Sequence, residues 1–281
     1  NKRMRIYFGD RLHYERFKGS EELYTELDAS FANPYSYSKT GSGFNSWQHN
    51  YMNYGIDLFI TDRTSLNLLG EWRRNKGVSD DYHSVHRTFM DNELAEYYES
   101  FHDNFTTNNN HFHSAYFKHI INDAGSEISA ELNYYTQTGR NENEYVQTYY
   151  SSDDIEDELY TIERSDATAN LRNTLEFKSD YSYMTGHVKN ETGIRISQRW
   201  MSNDFANTNP FEMSETEQTE FHYNENWNAA YYNVTGKLKN LSWQAGLRAE
   251  YSYIDIEDTL GLDFFSLLPQ VSLSRNFDKG Q

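Results

Sequence analysis

Apolar and polar residues alternate with a period of two along almost the whole chain, and helical spacing with capping signals is hard to find. Met4, Ile6 and Phe8 share one parity, while Arg3, Arg5 and Tyr7 take the other. Leu23, Thr25, Leu27, Ala29 and Phe31 alternate in turn against Glu22, Tyr24, Glu26 and Asp28. Met52, Tyr54, Ile56, Leu58 and Ile60 lie opposite Asn53, Gly55 and Asp57; Leu66, Leu68, Gly70 and Trp72 lie opposite Ser65, Asn67, Glu71 and Arg73. The same pattern returns in Ile128 to Tyr134, Ala167 to Phe177 and Ile194 to Trp200, and is clearest in Leu241 to Tyr253. A slip of one residue in any of these strands would carry charge onto the apolar face, so the register is strongly specified.

The connections alternate in length. Short polar turns are expected near Lys18 to Ser20, Thr61 to Thr64, Asn122 to Ser126, Lys178 to Thr185, Lys237 to Asn240 and Asp278 to Gly280. Between them lie longer segments around 33 to 46, 74 to 111, 138 to 165, 201 to 218 and 254 to 264, with a second hairpin expected to turn near Asp91 to Glu93. Strict alternation of short and long connections predicts an antiparallel up-and-down meander of about eleven strands with one tight and one elaborated end. Strands of about twelve residues exceed the soluble average and suffice to cross a bilayer at a tilt. The fold class is therefore all-β, an antiparallel up-and-down transmembrane β-barrel or part of one.

Composition bears this out indirectly. The 281 residues include 24 Tyr, 17 Phe and 5 Trp, yet the hydrophobic fraction is 37% and the mean hydropathy is −0.92. Averaging lipid-facing and lumen-facing positions hides the hydrophobicity of a membrane barrel from any such score. No run approaches the eighteen or so apolar residues of a membrane helix. A formal charge of −18 argues against binding a nucleic-acid backbone, and the absence of cysteine excludes disulfides, thiolate metal sites and a cysteine nucleophile. Asn1 follows no signal segment and Gln281 ends just past a turn, so the chain is expected to be an internal piece of a longer exported protein.

Three stretches resemble a known family, the outer-membrane β-barrel region of TonB-dependent receptors in the branch found in Bacteroidetes. Tyr223 to Tyr253 (YNENWNAAYYNVTGKLKNLSWQAGLRAEYSY) is similar to its aromatic strand, short turn and return strand. Phe264 to Gly280 (FFSLLPQVSLSRNFDKG) is similar to the strand that follows, and Phe117 to Tyr134 (FKHIINDAGSEISAELNY) to an earlier hairpin. The resemblance implies a barrel of about 22 strands, of which this chain would form half in one partial-barrel unit spanning residues 1–281. It also implies residence in the bacterial outer membrane among lipid and lipopolysaccharide, and uptake of a ligand through a lumen. A plug domain, the TonB system or a surface lipoprotein would be the partners. A physical argument agrees that strands are missing: an open sheet leaves unpaired backbone groups in hydrocarbon, each costing several kcal/mol. A non-transporting barrel that serves as a structural or interaction subunit of an outer-membrane complex is the alternative.

The polar parity carries the first candidates: Arg73, Arg172, Glu176, Arg195, Arg199, Arg248 and Glu250, with Arg5, Arg11, Glu22, Glu26, Asp28, Asp57, Glu71 and Glu131. They could grip a plug or line a path, although any wide barrel has a wet interior of mixed charge. Trp72, Tyr134, Trp200, Tyr223, Trp227, Tyr231, Trp243, Tyr251 and Tyr253 are expected on the lipid side as an interfacial girdle. Tyr145, Tyr149, Tyr150 and Tyr160, expected in a long extracellular loop, are candidates for stacking on a sugar. Asp153, Asp154, Glu156 and Asp157 are weak calcium candidates whose plainer reading is a solvated acidic surface, bridged to lipopolysaccharide by divalent ions. His111 and His113, with His102 and His119 nearby, lack the accompanying signature of a metal site. No phosphate loop, G-x-S-x-G elbow or H-E-x-x-H occurs, so neither an enzyme nor a cofactor is expected.

Overall fold

The computed structural model describes residues 3–27, 35–151, 158–208, 216–257 and 260–275. Ten strands follow one another: β1 (Met4–Leu27), β2 (Tyr35–Thr61), β3 (Thr64–Met90), β4 (Glu93–Ile120), β5 (Glu127–Tyr150), β6 (Glu158–Thr185), β7 (Val188–Thr208), β8 (Thr216–Leu238), β9 (Leu241–Ile256) and β10 (Leu260–Arg275). They form a single antiparallel sheet in chain order, in which β1 and β10 are edges that do not meet. The up-and-down meander is as expected, but with ten strands in place of about eleven.

The difference lies in β1. Lys18, Gly19 and Ser20 are not a turn; β1 runs straight through them, opposite Phe44, Gly43 and Ser42 of β2 without a register shift. Parity therefore carries across the join. Leu23 and Thr25 share the face of Arg5 and Arg11, while Glu22 and Glu26 share the face of Ile6, the reverse of the expectation. Asp28 and Phe31 lie outside the described residues.

The tight end is made by connections at 62–63, 121–126, 186–187 and 239–240. The expected turn at Lys178 to Thr185 is strand instead, and Gly186, with φ 61°, closes the hairpin just beyond it. At the other end most of the expected long loops are strand. β3 and β4 continue to a two-residue turn at Asp91 and Asn92, whose φ values of 54° and 66° suit a type I′ hairpin. Strands of up to 28 residues exceed the roughly nine to eleven needed for a crossing, so each hairpin stands well clear of the bilayer.

Cross-strand partners share a face, which allows side chains to be followed across the sheet. One row reads Ile6, Ile56, Leu68, Ala115, Leu132, Phe177 and Ile196, passes through Asn228 of β8, and ends in Tyr251 and Phe265. Only Tyr97 and Ala229 are buried apolar residues among those described, because a single layer has no interior. The apolar row remains uncovered, with Ile6 64% exposed and Phe265 65% exposed. Such side chains gain about 1.5–3 kcal/mol each on leaving water, and lipid supplies that environment for a barrel's outer face. The opposite face is the inward one.

Candidate functional site

All seven charged candidates lie on the inward face. Glu176 belongs to a row with Asn133, Ser197 and Trp227, and Arg195 lies one row nearer the tight end, with Glu131, Lys178 and Glu250. Arg73 and Arg172 share a row through Asn110 and Gln137. The reason is the period of two: each charge alternates with an apolar neighbour that the bilayer claims.

Most of these charges neutralise one another. Arg195 donates from Nε to Glu176 Oε2 at 2.7 Å, and Arg199 from Nη1 to Glu225 Oε2 at 2.9 Å. Arg248 donates from Nε to Glu250 at 2.5 Å, and Arg73 from Nη2 to Glu71 at 2.9 Å. Each pair is partly exposed and contributes about 1 kcal/mol or less. Arg172 has no acidic partner among the described residues. Its Nε is buried without a hydrogen bond, as are Thr174 Oγ1 and Arg199 Nε beside it. A hollow of about 270 Å³ on the same face is lined by Glu71, Arg73, Asn110, Phe112 and Tyr135.

Trp227 corrects the expected girdle. Its ring lies 4.8 Å from the Arg195 guanidinium and 5.3 Å from that of Arg248, both on the inward face. Tyr223 and Tyr231 share that face, with Tyr231 donating to Asp180 at 2.5 Å. The aromatic parity of β8 thus points inward, and its outward parity carries Asn224, Asn226 and Asn228. The neighbours of β8 decide this: Ile194 and Ile196 of β7 face outward, and their partners are Ala230 and Asn228. Trp72, Tyr134, Trp200, Trp243, Tyr251 and Tyr253 do share the apolar face.

The four tyrosines expected in a loop stand on paired strands of the extension. Tyr145 stacks on His102 with centroids 4.3 Å apart and 5° between planes. Tyr149 stacks between Tyr98 at 4.9 Å and Tyr160 at 4.6 Å, and Tyr98 continues onto His86 at 4.2 Å. These rings form an inward-facing ladder from β3 to β6. Tyr150 faces the other way, against Tyr97. Burial pushes the Tyr98 hydroxyl up to about 12, so it stays protonated and able to donate. Burial also holds His86 below the usual histidine value, with its Nδ1 2.6 Å from the Tyr37 hydroxyl and its Nε2 2.8 Å from Ser84 Oγ.

Between the ionic wall and the aromatic ladder lies a surface built from positions expected as long connections but paired as strand. On β3 to β7 one row reads Asn75, Asn108, Gly139, Asn170 and Asn203. The next reads Gly77, Thr106, Asn141, Thr168 and Phe205, and the third Ser79, Asn104, Asn143, Asp166 and Asn207. Asn104 and Thr106 both donate to Asn141 Oδ1, at 2.9 and 2.6 Å, and Asn143 donates to Asp166 at 2.8 Å. The available signal is asparagine recurring on one parity, as in Asn141 and Asn143 or Asn108 and Asn110.

His111, His113 and His119 face outward while His102 faces inward, so the four do not converge. No group of three or more His, Asp or Glu side chains among the described residues is placed to hold a metal ion. Asp153, Asp154, Glu156 and Asp157 lie outside the described residues.

The architecture is shared with known proteins. The ferric citrate transporter FecA in its unliganded form matches with a TM-score of 0.51 and 10% identity over 97% of this chain and 42% of that one. The ferric preacinetobactin receptor BauA from Acinetobacter baumannii matches with a TM-score of 0.41 and 11% identity over 95% of this chain and 44% of that one. The ferric-catecholate import receptor Fiu from K12 E. coli gives 0.37 and 9% over 95% and 47%. The chain thus spans less than half the length of these receptors. No curated protein sequence matches it. The profile of the outer membrane protein beta-barrel family matches residues 119–281, the larger part of the chain, and the protein belongs to that family of the bacterial outer membrane.

Proposed function

We propose that the chain forms part of the wall of a TonB-dependent type of receptor that takes up a ligand across the outer membrane. The observation that carries this reading is the graded inward face. A wall of mutually neutralised ions lies toward the tight end, and a neutral, then aromatic, surface rises beyond the bilayer toward the elaborated end. In this reading the tall end faces outside and meets the ligand first, because outer-membrane barrels keep their short turns on the periplasmic side. Arg172, with unpartnered groups on Thr174 and Arg199 beside it, offers a docking point for an acidic side chain of a plug domain inside the lumen. Further strands of the parent polypeptide would pair with β1 and β10, since bare strand edges are not tolerated in hydrocarbon. The TonB system or a surface lipoprotein would complete the machinery, and the chain itself does no catalysis.

The test is depletion of a defined medium by cells with and without the parent gene, followed by mass spectrometry. The reading expects at least one compound whose loss requires both the gene and an energised inner membrane. Equal depletion by both strains would overturn it, and would favour a structural barrel if an outer-membrane assembly fell apart in the deletion strain.

A further inference from the structure

We propose that the amide field on the inward face of β4 to β7 binds a neutral, hydroxyl-rich ligand, an oligosaccharide, and that Phe205 is the ring on which a sugar stacks. The proposal rests on the uptake reading and names its ligand class.

The field is polar but nearly uncharged. Its three rows contain a single charge, Asp166, which already accepts from Asn143 and lies 3.4 Å from Arg164. The rows themselves contain no cation to attract an anionic metal chelate; Arg172 stands in the adjoining row on the tight-end side. A carboxamide offers one acceptor oxygen and two donor hydrogens, which matches a sugar hydroxyl that both gives and accepts. Part of the field is a rigid base, where Asn104, Thr106, Asn141 and Asn143 hold one another in place. Asn170 and Asn203 differ: both are exposed, and neither side chain makes a hydrogen bond to another described residue. Gly139 makes room for this arrangement. A Cβ there would come within 2.8 Å of Asn108 Oδ1 and 2.5 Å of Asn170 Oδ1.

Phe205 is out of place in such a surface unless something covers it. It is 37% exposed, lies between Asn203 and Asn207 along β7, and faces Thr168 and Thr219 across the sheet. A ring so placed covers the apolar C–H face of a sugar while the adjacent amides take its hydroxyls. Tyr145, one row above Asn143 and stacked on His102, lies toward the outer end of the same surface. A peptide ligand fits less well, since the three rows hold no apolar side chain except Phe205 to receive its residues.

The experiment uses the detergent-purified full-length parent protein. It is applied to an array of neutral α-glucan, β-glucan, xylan, mannan and chitin oligosaccharides, with ferric citrate and a neutral peptide mixture measured by calorimetry. At least one glycan class is expected to bind. Phe205→Ala and Asn170→Leu should each weaken that binding about tenfold, equal to about 1.4 kcal/mol, while Phe205→Trp retains it. Asp204→Ala, next to Phe205 but on the outward face, should leave binding unchanged. Heat-modifiable migration on a gel establishes that every variant is folded.

Absence of glycan binding by the folded wild type would overturn the proposal. So would glycan binding indifferent to Phe205→Ala and Asn170→Leu, or ferric citrate or peptide binding that is lost in those variants. Binding by purified protein needs no energised membrane. Glycan bound in vitro without gene-dependent depletion by cells would therefore sink the uptake reading and leave the ligand class standing, whereas gene-dependent depletion of a compound that is not a glycan would do the reverse.

Discussion

Leu132 and Asn133 are adjacent on β5 at one depth and on opposite faces, which makes arginine at each a direct test of which side meets lipid. Leu132 is paired with Ala115 and Phe177 in the apolar row, and lies midway between the tight-end turn before Glu127 and the outer part of the crossing. It is 46% exposed in the sheet, so nearly half of its surface faces the bilayer. Leu132→Arg places a guanidinium near the midplane at a cost of about 2–4 kcal/mol. Asn133 is paired with Ser114 and Glu176 on the inward face. There Asn133→Arg adjoins a carboxylate already engaged by Arg195 on the polar face, so the expected change is about zero to 1 kcal/mol in either direction. A gap of about 2 kcal/mol corresponds to roughly a thirtyfold difference in folding equilibrium. The assay is urea-dependent folding of the full-length protein into phospholipid vesicles, followed by tryptophan fluorescence and heat-modifiable migration. Equal costs for the two variants, or a larger cost for Asn133→Arg, would refute the assignment of faces.

Three further outcomes are expected. A double-mutant cycle combining Arg195→Met and Glu176→Leu should show a coupling of about 1 kcal/mol in the same assay, and additive effects would mean that the pair seen here does not stabilise the wall. His86 has its pKa lowered by burial and by Lys39, with Glu21 opposing. The folded state therefore takes up its proton later than the unfolded chain as pH falls: the stability is present above about 6.5 and is lost as pH drops through the lower folded value. Proteolysis of the β3–β4 hairpin should accelerate as pH falls below about 6.5, and His86→Phe should flatten that dependence. An epitope inserted at Asp91–Asn92 should be labelled on intact cells and one at Asp62–Arg63 only after permeabilisation; the opposite pattern would invert the barrel.

Much of the architecture was legible because the period of two is strong wherever lipid claims one face. From Leu66 to Trp72, Ala167 to Phe177 and Leu241 to Tyr253 the expected parity is the observed one, as are the tight connections near residues 62 and 240. The charged candidates followed for the same reason, since Arg172, Glu176 and Arg248 each alternate with an apolar neighbour. Legibility fails above the bilayer. There both faces meet water, no alternation is imposed, and paired strand looks like loop. Tyr145, Tyr149 and Tyr160 were consequently singled out without their ladder, and the amide field went unseen.

The chain's own alternation, turn chemistry and family phrases were enough to determine an all-β meander of the outer membrane and the face that each clearly patterned strand turns to lipid. Tertiary structure decided what alternation leaves open. Register against β2 carried β1 through Lys18 to Ser20 and reversed the faces of Glu22 and Leu23. Register against β7 and β9 turned Trp227 toward Arg195 and Arg248 although the β8 sequence by itself favours the opposite face. Pairing across β4 to β7 brought asparagines more than sixty positions apart in sequence, such as Asn108 and Asn203, into one row. The physical reason is that a strand's pattern states only that its two faces differ, whereas hydrogen-bonded neighbours must share a face. An ambiguous strand is therefore oriented by the unambiguous ones beside it.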